Sequence, residues 1–352
     1  MPSKSAIFTR CFLCLILTLL LLASCGQTNP GGVSEVPEDS QAEAAPQKEA
    51  FVLSDETKLS FAALAENKEL LLDREKAAEQ VAAYYQDKPE IAPVILGEDN
   101  VDGKLEQPDF SLRIAAAAQR NPDTVGWFRI KDTNMNYAVV QDVTDVNYYT
   151  ERDYDKGLHY GTPPNGPYYD LYGVIWLGPR VAVSSRAELS PNTVMFGHNW
   201  YNIYAGSVRK DSPNDIMLGQ SAAYIYPEWA EEHPFINFSI KNDNMTWVVY
   251  ASFFTEDSWP NNYSDIDFNY VKPDLSPEQM ERYVKEINER ALYTADFELS
   301  PEDNVMTIST CSWADGRNDG THRFVILAKL LDEGAPLPEV TYTVNPNPKH
   351  AK

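Results

Sequence analysis

Val305-Met306-Thr307-Ile308-Ser309-Thr310-Cys311 is a short apolar run rich in β-branched residues. After the polar loop 312–322 comes a second, Arg323-Phe324-Val325-Ile326-Leu327-Ala328, opened by His322. Two such runs joined by a loop of that length read as antiparallel neighbours, with Cys311 and Arg323 near the same end of one sheet. The pattern repeats upstream. Gly126-Trp127-Phe128-Arg129-Ile130 and Tyr137-Ala138-Val139-Val140 predict a strand pair turning at 132–134, and further strands are expected at 173–177, 193–197, 236–240 and 246–254. One clear helix interrupts them, over 277–292. Ser276 is its N-cap, Pro277 suits the first turn, Gln279 completes a capping box, and Met280, Tyr283, Val284, Ile287 and Ala291 form its buried stripe. A shorter helix is expected over 109–120, on Phe110, Ile114, Ala117 and Ala118. Short strands with few helices predict a mainly β fold, a single barrel or sandwich over 108–332, followed by a tail over 333–352.

The N-terminal third has a different texture. Lys4 and Arg10 precede a largely apolar run of 13 residues, 11–23, which is the pattern of an export signal. A membrane-spanning helix needs about 20 residues, so this run is short for one, although 6–25 taken together keeps an uncleaved anchor helix as the alternative. The run ends in Leu22-Ala23-Ser24-Cys25, which resembles a bacterial lipobox and implies cleavage before Cys25 and lipid attachment to its sulfur. Residues 1–25 therefore read as a lipoprotein-type signal and the remainder as tethered outside the cytoplasmic membrane. Residues 26–54, rich in Pro, Glu, Gln, Ala and Ser, read as a disordered spacer; 55–107 read as a helical extension and connector.

Composition narrows the function classes. With 43% hydrophobic and 12% aromatic residues, the 352-residue chain is not wholly disordered, and 17 glycines exclude a collagen-like one. Lys plus Arg total 29 against 52 Asp plus Glu, a net charge of −23, so nucleic acid is not an expected partner. Of the four cysteines, Cys11 and Cys14 lie in the signal and Cys25 would be acylated. That leaves Cys311 as one thiol with nothing to pair with, either a reactive group or a small packed core residue.

Three places concentrate reactive side chains: His198 after the run 192–197, Cys311 at the end of its strand, and Arg323 at the start of the next. A thiolate is a nucleophile whose formation a nearby cation favours, an imidazole can pass a proton to a leaving amine, and a guanidinium can steady an oxyanion. His322, eleven residues from Cys311, competes with His198 for the base role.

In chain order, Gly197-His198-Asn199, then Thr307-Ile308-Ser309-Thr310-Cys311, then Arg323-Phe324-Val325-Ile326-Leu327-Ala328-Lys329 resemble the sortase family of Gram-positive surface transpeptidases. The segments Asn121-Pro122-Asp123-Thr124-Val125-Gly126-Trp127 and Tyr137-Ala138-Val139-Val140-Gln141, and the helix inserted before the cysteine strand, are similar to class B members. The resemblance covers about 108–330 and implies an eight-stranded sortase-type β-barrel with a few peripheral helices. It implies Cys311 as nucleophile, His198 as proton donor and acceptor, Arg323 as substrate and oxyanion clamp, and Thr310 and Asn199 as substrate contacts. The implied partners are exported proteins bearing an LPXTG- or NPXTG-like C-terminal sorting signal, cut after its Thr, and an amine of peptidoglycan or a pilin that resolves the thioester. No cofactor or metal is implied, and turnover is expected to be slow. The chain departs from the pattern in its lipobox, in the long stretch 26–107, and in Ser312-Trp313 where class B relatives often carry an acidic residue after the cysteine. The competing readings are a non-catalytic surface lipoprotein that binds a partner, with Cys311 merely packed, and another class of cysteine peptidase.

Overall fold

A computed structural model describes residues 82–91, 110–150, 152–157, 173–199, 208, 215, 217–256, 269–312 and 322–349. The expected signal with Cys25, the expected spacer and the expected helices before residue 82 lie outside the described residues. Among those described, no helix is long and apolar enough to cross a membrane.

The strands are β1 (Thr124–Ile130), β2 (Asn136–Val140), β3 (Ile175–Leu177), β4 (Asn192–Phe196), β5 (Phe235–Ile240), β6 (Asp243–Glu256), β7 (Tyr293–Ala295), β8 (Val305–Cys311), β9 (His322–Leu330) and β10 (Tyr342–Val344). They form one sheet in the order β10-β7-β6-β5-β1-β2-β3-β4-β8-β9, and a further pairing of β6 with β9 closes eight of the strands into a barrel. Closure gives each of those eight a partner on both sides, which is how a mainly β domain avoids edge-to-edge association. The expected barrel is therefore present, and every strand read from the sequence forms, with ends displaced by a few residues.

Local chemistry accounts for the first pairing. β1 and β2 run antiparallel, and the turn between them places Asp132 at φ 59°. Asp tolerates that conformation better than most residues. The Thr133 hydroxyl donates to the Ile130 carbonyl and accepts from the Met135 N–H. On its other side β1 pairs with β5 so closely that a Cβ on Gly126 would lie 2.5 Å from the Ser239 main-chain oxygen and 2.6 Å from Phe238. Gly126→Ala should consequently cost about 1–3 kcal/mol, the usual penalty of overpacking. Urea titration checks this, and a variant as stable as the parent would show that the two strands part there without cost.

Helices cover the outside. α1 (Ser111–Arg120) buries Ile114 and Ala117, and the Phe110 ring just before it stacks on Trp127 of β1 at 5.7 Å. The six-residue α2 (Pro227–Glu232) buries Trp229 and Ala230. α3 (Pro277–Arg290) starts with the capping box expected from Ser276 and Gln279, and buries Met280, Tyr283 and Ile287. The Tyr283 hydroxyl meets Thr307 Oγ1 at 2.7 Å, and the Tyr270 hydroxyl meets Ser309 Oγ at 3.1 Å. The odd-numbered positions of β8 thus face α3. An eight-stranded barrel is filled by its own side chains and cannot hold a helix, so this is the outer face.

Residues 333–352, expected as a tail, contribute β10, which pairs with β7 beside the barrel. Tyr342 packs edge-on against Tyr293 at 5.1 Å and donates to the Val249 carbonyl. Both strands are three residues long, too short for a period-two pattern to stand out in a sequence.

Candidate active site

Strand register brings the three reactive side chains to one end of β4, β8 and β9. β8 and β9 pair antiparallel with Cys311 directly opposite Arg323. The next N–H outward, that of Ser312, donates to the His322 carbonyl at 3.1 Å. Hydrogen-bonded and non-hydrogen-bonded pairs alternate, so Cys311 and Arg323 form the close kind, with Cα atoms about 4.5 Å apart and side chains on a shared face. That face is the outer one, because Cys311 follows Thr307 and Ser309 at a spacing of two.

β4 approaches from the other side, parallel to β8, with Phe196 opposite Ser309. Thr307 Oγ1 donates to Asn192 Oδ1 at 2.8 Å, which puts Asn192 on the outer face of β4. Continuing the alternation past Phe196 carries His198 to the same face, level with Cys311. The chain beyond β4 is held by the Leu218 N–H donating to the His198 carbonyl at 2.8 Å and by a bridge between Asn199 and Met217. The Asn199 amide donates to the Cys311 carbonyl at 3.2 Å. Cys311 itself is a free thiol of intermediate exposure, neither sealed in the core nor fully open.

His198 is 5% exposed. Its ring lies 5.7 Å from that of Trp176, which in turn stacks on Phe196 at 5.7 Å, and its Nε2 lies 2.8 Å from the Thr150 carbonyl oxygen. Burial pulls the imidazole pKa down to about 4; the Thr150 carbonyl works in the opposite direction, and the positive charge of Arg323 adds to the lowering. That Arg323 is felt at His198 places the guanidinium and imidazole in one electrostatic neighbourhood. The ring is neutral at pH 7.

This depression has a measurable sign. Between pH 6.5 and about 4 the unfolded histidine binds a proton that the folded one refuses. Its stabilising contribution is complete above pH 6.5, is lost as pH falls towards 4, and changes no further below that. Removing it should take away about 3 kcal/mol of acid-induced destabilisation. Urea titrations from pH 7 to 4 should show the parent losing about that much more stability over the window than His198→Gln; equal losses would contradict the buried, neutral ring.

The remaining residues singled out from sequence sort by strand face. His322 neighbours Arg323, so its side chain leaves β9 on the opposite face, where it is 7% exposed. It is therefore not placed beside the Cys311 sulfur, and the competition for the base role favours His198. Thr310 also points away from that face; it is 3% exposed, and its hydroxyl donates to the Gly197 carbonyl at 2.7 Å. The structure thus joins Thr310 to the segment that carries His198 rather than to the thiol. Trp176 and Thr150 were not singled out from sequence. Trp176 lies inside the strand expected over 173–177, where an aromatic residue reads as ordinary strand material, and Thr150 acts through a main-chain carbonyl, which leaves no trace in residue type. Among the described residues, no group of three or more His, Cys, Asp or Glu is arranged to hold a metal ion.

No protein-family model matches the chain. Two curated relatives do. Sortase B of Staphylococcus aureus (strain NCTC 8325 / PS 47) is 23% identical over 212 residues, 60% of this chain and 71% of that one. Sortase B of Listeria monocytogenes serovar 1/2a is 25% identical over 234 residues, 66% of this chain and 77% of that one. The fold is similar to the crystal structure of a Bacillus anthracis protein described as similar to sortase B, with a TM-score of 0.50 and 21% identity over 74% of this chain and 98% of that one. In sequence and fold the chain is thus similar to sortases, which are cysteine transpeptidases. The likeness is to class B.

Proposed function

We propose that this protein cleaves a C-terminal sorting signal of exported proteins and transfers the resulting acyl group to an amine, with Cys311 as nucleophile, His198 as proton carrier and Arg323 as clamp. The observation that supports this most is the register Cys311↔Arg323 together with the parallel β4–β8 pairing, which carries His198 level with both on one outer face. In the reaction, His198 takes the thiol proton and the sulfur attacks the Thr carbonyl of an LPXTG- or NPXTG-like segment. The Arg323 guanidinium, charged and rigidly forked, donates to the oxyanion or to the substrate carbonyl that precedes it. As the C–N bond breaks, the imidazolium returns its proton to the leaving amine and a thioester remains on Cys311. An incoming amine then attacks the thioester, gives its proton to His198, and releases the thiolate.

The acceptor is an amine of the cell wall or of a pilin, and the protein works at the outer face of the cytoplasmic membrane. Attachment through a lipid on Cys25 is the anchor this reading favours; the alternative is an N-terminal helix. Thr310 acts on the substrate indirectly, by holding the Gly197 carbonyl and hence the turn into His198, and the Asn199 amide steadies the main chain at the nucleophile. The test is incubation with a panel of LPXTG- and NPXTG-like peptides, with and without a short glycine or diamine acceptor. A ligated product of one peptide with the acceptor supports the reading. Intact peptides throughout, from a folded protein with an alkylatable thiol, would leave the lipoprotein binding module as the better one.

A further inference from the structure

The loop before β3 is fastened at several points close to His198. The Trp176 indole N–H donates to the Val146 carbonyl at 2.9 Å while its ring touches His198. The Tyr148 N–H donates to the Asp145 carbonyl and the Thr150 N–H to the Asn147 carbonyl. Tyr149, 1% exposed, donates its hydroxyl to Asp123 at 2.7 Å and accepts from the Asn121 amide at 2.9 Å. Arg152 donates to the Tyr148 carbonyl at 2.9 Å and lies 4.3 Å over the Tyr148 ring. The outcome of this fastening is a single main-chain carbonyl, that of Thr150, held 2.8 Å from His198 Nε2.

A carbonyl oxygen can only accept, so the ring nitrogen facing it must carry hydrogen. We propose that the Thr150 carbonyl, braced by Trp176, fixes His198 as its Nε2–H tautomer, so that Nδ1 is the atom that exchanges protons with Cys311 and the scissile amide. The inference rests on the catalytic role given to His198 above. Thr150 and Trp176 are positioning residues in this scheme, and neither touches the reacting atoms. The carbonyl fills the place that a carboxylate holds in a Cys–His–acid arrangement, in a chain whose thiol is followed by Ser312-Trp313. The neutral ring and the imidazolium both present a hydrogen at Nε2. The same bond therefore survives each proton transfer, and the ring need not turn during the cycle.

Nitrogen-15 NMR of the full protein with labelled histidine tests this, with the His198 signals assigned by their loss in His198→Gln. In the parent, Nε2 should show the protonated shift and Nδ1 the lone-pair shift. Trp176→Phe keeps a ring against His198 but loses the bond to Val146; it should give a mixture of tautomers and lower kcat about tenfold, with KM held within about twofold. A parent whose His198 is protonated at Nδ1 would overturn the proposal, as would a Trp176→Phe protein with unchanged tautomer and kcat. The tautomer reading needs no turnover, so it stands apart from the catalytic one: a His198→Gln enzyme with full activity would remove the base role while leaving the tautomer result intact.

Discussion

Cys311→Ala should abolish cleavage of every sorting peptide, lowering kcat/KM by at least about 10⁴-fold, or about 5.5 kcal/mol of transition-state stabilisation. No neighbouring group can stand in for the sulfur, because Cys311 is the free thiol among the described residues and Ser312 leaves the strand on the other face. The fold should survive. Cys311 is the last residue of β8, and truncating a partly exposed side chain there leaves little cavity. The comparison must therefore be made on a protein shown by its melting transition to be folded, with the substrate peptide binding as before. A folded Cys311→Ala protein that still cuts peptide would remove the residue from the chemistry.

The second large effect is expected at the two partners of the thiol. Arg323→Ala should lower kcat/KM about 10²–10³-fold, the usual cost of losing one oxyanion donor. Arg323→Lys should recover only part of it, since an ammonium on a flexible stem does not reproduce the planar fork. His198→Ala should cost about 10²–10⁴-fold through loss of proton transfer. The double variant should cost far less than the product of the two, because both act on one transition state. Losses that multiply independently would mean the two side chains do not serve the same step. His322→Ala supplies the control. Its side chain lies on the far face of β9, so peptide cleavage should fall by no more than its effect on folding.

How far the sequence alone reached is instructive at particular residues. The cross-strand meeting of Cys311 and Arg323 was legible because two β-patterned runs flank one loop, and a hairpin leaves few registers open. The start of α3 was legible because a capping box is local chemistry, written in Ser276, Pro277 and Gln279. Barrel closure was not legible from pattern. It depends on β6 pairing with β9, for instance Trp247 with Leu330, and residues so distant in sequence carry no shared periodicity. The choice between His198 and His322 stayed open for a related reason. Which face a strand residue takes depends on register with its neighbours, and only the assembled sheet settles that His322 turns away. β7 and β10 escaped because three residues cannot display alternation, and the Thr150 carbonyl because main-chain groups are the same in every residue. The resemblance to sortases supplied the barrel and the roles; the structure supplies the shared face on which those roles can meet.

The central claim is that the Cys311 sulfur attacks a peptide carbonyl and carries the acyl group. Intact-protein mass spectrometry, after brief exposure to a cleaved peptide and acid quench, tests it most directly. The account predicts a mass increase equal to the peptide fragment ending in Thr, mapped to Cys311, reversed by an added amine and missing from Cys311→Ala. A product-forming enzyme that accumulates no adduct under any quench, or carries one on another residue, would contradict it.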